Sequence, residues 1–161
     1  FTELELIAIE KDFDIDFNAD GAKGFVSSGP RIDSGVGELG IFAIGDFGYG
    51  IQIDPSADDL IPLTTGLGSS WDRGLPISVS FDPNGYKVVY EKLTSKKSKF
   101  YEVLVNKDGV VSKRSSKIKD SEVIDFELEY NTDIDDNGWI GSFNNELQSE
   151  NDKSLILSTD V

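Results

Sequence analysis

Oxygen-bearing side chains recur at alternate positions in two short stretches of this chain. Asp16, Asn18 and Asp20 precede Gly21, and Asp133, Asp135 and Asn137 precede Gly138. A hard divalent cation such as calcium takes about six to eight oxygen ligands. Side chains at positions one, three and five of a loop, followed by a glycine at the sharp turn, curl around such an ion. Position seven contributes its backbone carbonyl, so Ala22 and Trp139 enter through the main chain. The expected calcium ligands are therefore Asp16, Asn18, Asp20 and Ala22 in the first loop, and Asp133, Asp135, Asn137 and Trp139 in the second. Position eight packs inward in such loops, which suits Ile140 but not Lys23.

At position twelve, where a bidentate glutamate is expected, stand Ser27 and Asn144. Glu146 is close enough in sequence to substitute in the second loop, and Asp14 or Glu10 to assist the first. The missing ligand predicts a weak site, with Kd of roughly 0.1–1 mM, in the range of extracellular modules. Asp, Asn and Gly are also ordinary turn residues, so one copy alone reads equally well as an acidic turn.

The flanks separate these readings. Residues 5–24 and 122–141 align without a gap at an offset of 117 residues. Glu5 pairs with Glu122, Ile7 with Ile124, Glu10 with Glu127, Asp16 with Asp133, Gly21 with Gly138 and Gly24 with Gly141. Before each loop the apolar residues have helical spacing: Leu6, Ile9 and Phe13, then Val123, Phe126 and Tyr130. Thr2, with Glu5 three residues on, has a capping-box pattern, and Ser121 is the expected N-cap of the second helix. A helix that ends in a calcium loop is half an EF-hand, and two copies favour cation binding over a plain turn.

At 161 residues the chain suffices for a domain that buries about 70% of its unfolded surface. Aromatic residues make up 11% of it, which argues for a real core. A net charge of −15 argues against nucleic acid as a partner, because like charges would meet across the interface. Bound cations would offset part of the self-repulsion. With no Cys and no His, disulfides, cysteine-ligated zinc and a Ser-His-Asp triad are excluded. A secreted chain without disulfides needs another staple, and calcium is one. No apolar run approaches the roughly eighteen residues of a membrane span, so no membrane insertion is expected. Because the sequence starts at Phe1, it is expected to be processed or cut from a larger protein.

Between the loops the chain alternates strand-like runs and turns. Residues 25–37 form a Gly- and Ser-rich link. Gly40–Ile44 and Tyr49–Ile53 read as strands joined by Gly45-Asp46-Phe47-Gly48, and Leu60–Leu63 is a short apolar run ahead of Trp71. Ile77–Phe81 ends at Asp82-Pro83-Asn84-Gly85, followed by strands at Tyr86–Leu93, Phe100–Asn106 and Val110–Lys113. The expected class is α+β: an antiparallel β meander flanked by short helices, each leading into an EF-hand-like or dockerin-like calcium loop. From Lys87 to Lys119 ten basic residues face only Glu91, Glu102 and Asp108. This reads as a solvated strand face whose lysines guard an edge, or as a surface for the acidic face of a neighbouring copy or an anionic polysaccharide.

The order of Gly85-Tyr86-Lys87-Val88-Val89-Tyr90, Phe100-Tyr101-Glu102-Val103, Asn106-Lys107-Asp108-Gly109, the helix Glu122–Tyr130 and the closing Asp133–Gly141 resembles the tryptophan-rich C-terminal domain. That family is repeated in large cyanobacterial surface and secreted proteins, and each copy closes on a sequence like Asp-Leu-Asn-Gly-Asp-Gly-x-Ile-Gly. The likeness spans about residues 38–141, with Trp71 in the place of the tryptophan before the Gly-Tyr strand. This chain has only two Trp, and Tyr90 and Tyr101 stand where indoles are usual. The resemblance implies that residues 1–24 end a preceding repeat, 25–141 form a complete one and 142–161, with Ser154-Leu155-Ile156-Leu157, begin the next. It implies a non-enzymatic structural or adhesive module, extracellular or on the cell surface, whose partners are neighbouring copies of the repeat. A carbohydrate-binding module is the alternative, with Trp71, Tyr86, Tyr90 and Tyr101 as a stacking platform. Asp14 and Asp16 have the residue types for glycosidase-like acid/base work, but cation ligation explains them better.

Overall fold

The computed structural model describes residues 3–19, 23–33, 38–45, 48–57, 59–66 and 68–142. Among the described residues two helices flank seven strands: α1 (Glu3–Phe13), β1 (Gly40–Ala43), β2 (Tyr49–Gln52), β3 (Ile61–Pro62), β4 (Leu75–Asp82), β5 (Gly85–Leu93), β6 (Ser98–Asn106), β7 (Val111–Lys117) and α2 (Val123–Tyr130). All strand pairs are antiparallel, which bears out the α+β class. The expected single meander is instead two sheets, ordered β1-β2-β3 and β4-β5-β6-β7. The run Leu60–Leu63 supplies the third strand of the smaller sheet.

Side-chain alternation along the strands explains the layering. On β5, Tyr86, Val88 and Tyr90 point to one side and join Val79, Val103, Val105 and Val111 against Leu39, Ile41, Ile51 and Leu63 of the smaller sheet. Val89 points the other way, into a second core with Ile118, Val123, Tyr130 and Ile134, so α2 covers the outer face of the larger sheet. Ile44 and Leu60, beside the smaller sheet, meet Ile7 of α1 and Phe25, with Phe42 packed against them. The resulting order is α1, small sheet, large sheet, α2. β5 is buried on both faces, which is why its sequence reads as Val88-Val89-Tyr90 rather than as strict alternation.

The edges follow from what each strand lacks. Pro76 has no N–H to give and lies on the edge strand β4 at a register shift against β5. β7 is the other edge, and Lys113, Arg114 and Lys117 are exposed along it, as expected for an edge that discourages pairing. The turn Asn106–Gly109 also joins the two sheets. Thr64 N–H donates to Gly109 O at 3.0 Å and Val111 N–H to Thr64 O at 2.8 Å. Gly109 has φ +84°, and a Cβ there would stand 2.1 Å from Pro62 O, so only glycine fits.

Three local expectations are corrected. Phe13 is 66% exposed, because the buried line of α1 passes through Ile7 and Glu10 and leaves the last turn in solvent. Ser121 is not the N-cap of α2. Glu122 holds that place without a side-chain cap bond, its carboxylate accepting Lys119 N–H at 3.0 Å instead. The rings Trp71, Tyr86 and Tyr90 are core residues rather than a stacking platform: Trp71 meets Tyr90 edge-on at 5.3 Å, and Tyr90 stacks on the partly buried Tyr101 at 5.4 Å. Thr2 lies outside the described residues.

Tyr130 anchors α2 to the sheet by donating its hydroxyl to Glu102 Oε2 at 2.6 Å. Burial, and then the Glu102 carboxylate, push its pKa far above the usual tyrosine value. An unfolded tyrosine loses its proton near pH 10 while folded Tyr130 keeps it, so this contribution is complete below about pH 10 and is lost as pH rises further. Tyr130→Phe should lower stability by about 1–3 kcal/mol at neutral pH and flatten the alkaline decline, checked by urea unfolding across pH 7–11.

Candidate metal centre

Each acidic loop hangs from one buried glutamate. Glu127 is 0% exposed on α2, yet both its oxygens are used: Oε1 accepts Ile134 N–H at 3.2 Å and Oε2 accepts Gly141 N–H at 2.8 Å. Glu10, its partner at the 117-residue offset, is 1% exposed on α1, and Oε1 accepts Phe17 N–H and Asn18 N–H, both at 2.9 Å. Phe17 is itself the offset partner of Ile134. Glu10 Oε2 is buried with no hydrogen-bond partner among the described residues.

The backbone repeats as faithfully as the side chains. Ile15 N–H donates to Glu10 O at 3.2 Å, and Thr132 N–H to Glu127 O at 3.1 Å. The residue after each helix is left-handed, Asp14 at φ 54° and Asn131 at φ 49°, as are Ala19 at 60° and Asp136 at 57°. Gly24 and Gly141 close the loops at φ 117° and 81°. A Cβ on Gly141 would meet Leu128, and one on Gly24 would meet Lys11, again the offset partner. Over the described residues the two segments share these backbone features, in keeping with their alignment.

In the second loop the turn is built from its own acidic side chains. Asp133 Oδ1 accepts Asn137 N–H at 3.1 Å and Oδ2 accepts Gly138 N–H at 2.7 Å. Asp135 Oδ1 also accepts Asn137 N–H, at 3.2 Å, and Asn137 Oδ1 accepts Trp139 N–H at 2.9 Å. Gly138 at φ 91° makes the sharp turn that position six requires. The carboxylates of Glu127, Asp133 and Asp135 converge, with one oxygen from each within 4.8 Å of the others. Glu127 is buried, Asp133 half-buried and Asp135 exposed, so the cluster opens to solvent on one side.

Three converging carboxylates repel one another, and a cation among them removes that repulsion. The donors are all hard oxygens, and each carboxylate oxygen has a lone pair beyond those that accept N–H bonds. This set can hold a metal ion of the class that prefers oxygen ligands. Of the expected ligands, the fold brings Asp133 and Asp135 together and leaves the Asn137 amide oxygen bonded within its own turn. Trp139 is 55% exposed. In the first loop Asp16 is half-buried and Asn18 exposed, while Asp20 and Ala22 lie outside the described residues. Asn144 and Glu146 also lie outside them, and Ser27 is exposed. Lys23 pairs with Asp14 at 3.2 Å, which explains a cation at a position expected to be apolar.

The residue that sequence reasoning missed is Glu127. The loop pattern places ligands within and after the loop, whereas Glu127 lies before it, on the helix. The available signal is the pairing of Glu10 with Glu127: a charged residue at the same point of two amphipathic helices. No protein-family model, curated protein or solved structure matches this chain.

Because Glu127 satisfies two buried donors, Glu127→Ala should cost about 2–4 kcal/mol even without metal, measured by chemical denaturation in chelator. Asp135→Asn, at an exposed position, should cost less than about 1 kcal/mol under the same conditions.

Proposed function

We propose that this chain is a calcium-stapled structural module of a repetitive protein, built to hold neighbouring units in order rather than to catalyse. The observation that carries the reading is the convergence of Glu127, Asp133 and Asp135 beside a turn at Gly138, which has positive φ. Glu127 adds a carboxylate from the helix side, while the loop still lacks the bidentate glutamate of position twelve. Glu10 has the corresponding place in the first loop.

Calcium at such a site tightens what the protein already has. It joins the end of α2 to the loop through Glu127, and α2 is fastened to the large sheet through Tyr130 and through the Thr132–Ser78 hydroxyl pair at 3.0 Å. A weak site of this kind works where free calcium is near millimolar, which agrees with an extracellular or cell-surface location. The absence of cysteine leaves the staple to the cation. The acidic balance of the chain and its basic β7 edge would allow neighbouring copies, or an anionic polysaccharide, to associate through complementary charge. Among the described residues no helix is long and apolar enough to cross a membrane.

Thermal unfolding in about 10 mM calcium and in chelator tests the proposal. For a Kd of roughly 0.1–1 mM this is about a ten- to hundredfold excess, so a single site adds about 1.4–2.7 kcal/mol, a rise in Tm of about 3–10 °C for a chain of this size. Asp133→Ala should abolish the part of the rise due to the second loop, and Asp16→Ala that due to the first. An equal midpoint in calcium and chelator would reduce both loops to acidic turns.

A further inference from the structure

The two helix–loop copies share a backbone but not a burial pattern. Ile7 is 5% exposed, packed among Phe25, Ile44 and Leu60, whereas its offset partner Ile124 is 42% exposed. Where α1 carries Lys11, ion-paired to Asp59, α2 carries Leu128, which is 63% exposed. Where the first loop carries Lys23, the second carries Ile140, 43% exposed and adjoining the exposed Trp139. Ile124 and Leu128 are one turn apart and share a helix face. Leu128 also lies against Gly141, its Cδ2 only 3.0 Å from where a Cβ would stand, so the loop extends the same patch. The copy with the more apolar face is therefore the one left open. Single exposed aliphatics are ordinary on a protein surface, but a contiguous group of this kind marks an interface.

The first copy shows what such a face is for. Among the described residues the buried apolar side chains clustered with Ile7 come from the chain beyond the loop: Phe25 directly after Gly24, then Ile44 and Leu60 of the small-sheet region, with Leu60 N–H bonded to Phe25 O at 2.9 Å. The sequence beyond the second loop has the same ingredients in the same order. Phe143 follows Gly141 closely, and Leu155-Ile156-Leu157 begins fourteen residues beyond it, as Ile41-Phe42-Ala43-Ile44 begins seventeen beyond Gly24.

We infer that the open face of α2 and its loop, formed by Ile124, Leu128 and Ile140, is the docking surface for the chain beyond Ser142. Residues 143–161 are the occupant, as residues 25–60 are for α1. A second copy of the protein is a poorer occupant, since the equivalent receiving surface in that copy is already filled by its own α1. The inference rests on the repeat proposed above and not on the cation, so failure of the calcium response would leave it standing. It makes each helix–loop a joint: anchored on one side to the sheet before it, and offered on the other to the segment after it.

The lack of cysteine makes the test direct. In the full chain, Leu128→Cys is combined with Leu155→Cys or Ile156→Cys, oxidised under mild conditions and compared with a Leu93→Cys/Ile156→Cys control. Leu93 is 80% exposed on another element. Residue 128 is in solvent, so the substitution should not disturb folding. The expected result is an intramolecular disulfide in monomeric protein, formed at least about tenfold faster than in the control for one of the two pairs. Disulfide-linked dimers alone would assign the face to a second copy and overturn the inference, as would cross-linking no faster than the control.

Discussion

A carboxylate withdrawn from water has to find donors in the protein, and the organisation around α2 follows from how Glu127 finds them. Its donors are Ile134 N–H and Gly141 N–H, one near each end of the acidic loop. One side chain thereby sets the loop's span and brings Asp133 and Asp135 to the side of the group that remains available. Leaving buried donors and a buried charge unmatched would cost several kcal/mol, which is large against the total stability of a domain. The arrangement is therefore held whether or not a cation is present, and an ion would find its ligands already in place.

The same constraint acts twice, on opposite sides of a two-sheet sandwich. α1 and Glu10 lie against the small sheet, α2 and Glu127 against the large one. Between them the two sheets share a single core running from Ile41 and Ile51 to Val88 and Val103, all essentially unexposed. Because β5 is packed on both faces, a displacement of α2 is felt by Val89 directly and by the inter-sheet core through its neighbour Val88. This connection is how the loop, which itself buries Ile134 against the large sheet, would stabilise the core between the sheets.

The differences between the copies are as informative as the likeness. Over the described residues both copies have left-handed turns at the same places and a buried glutamate that accepts the N–H of Phe17 or Ile134. Burial of the helix face is decided separately, by the segment of chain that comes after each loop. Ile7 has Phe25, Ile44 and Leu60 upon it, and Ile124 has nothing comparable among the described residues.

Local sequence was enough to read the strands other than β3, the turns at Asp82–Gly85 and Asn106–Gly109, the paired helix–loop segments and the oxygen-rich character of the candidate centre. These depend on neighbours within a few residues: alternation, glycine at positive φ and Asx side chains that bond their own backbone. The division of the meander into two sheets came from the fold, since Leu60–Leu63 is too short to declare its partner. Packing likewise assigned Trp71, Tyr86 and Tyr90 to the core, because a ring on a strand has the same spacing whichever face is covered. It was also the folded chain that brought Glu127 to the acidic loop. Its six-residue separation from Asp133 becomes a shared site only after the left-handed turn at Asn131 folds the chain back against the helix.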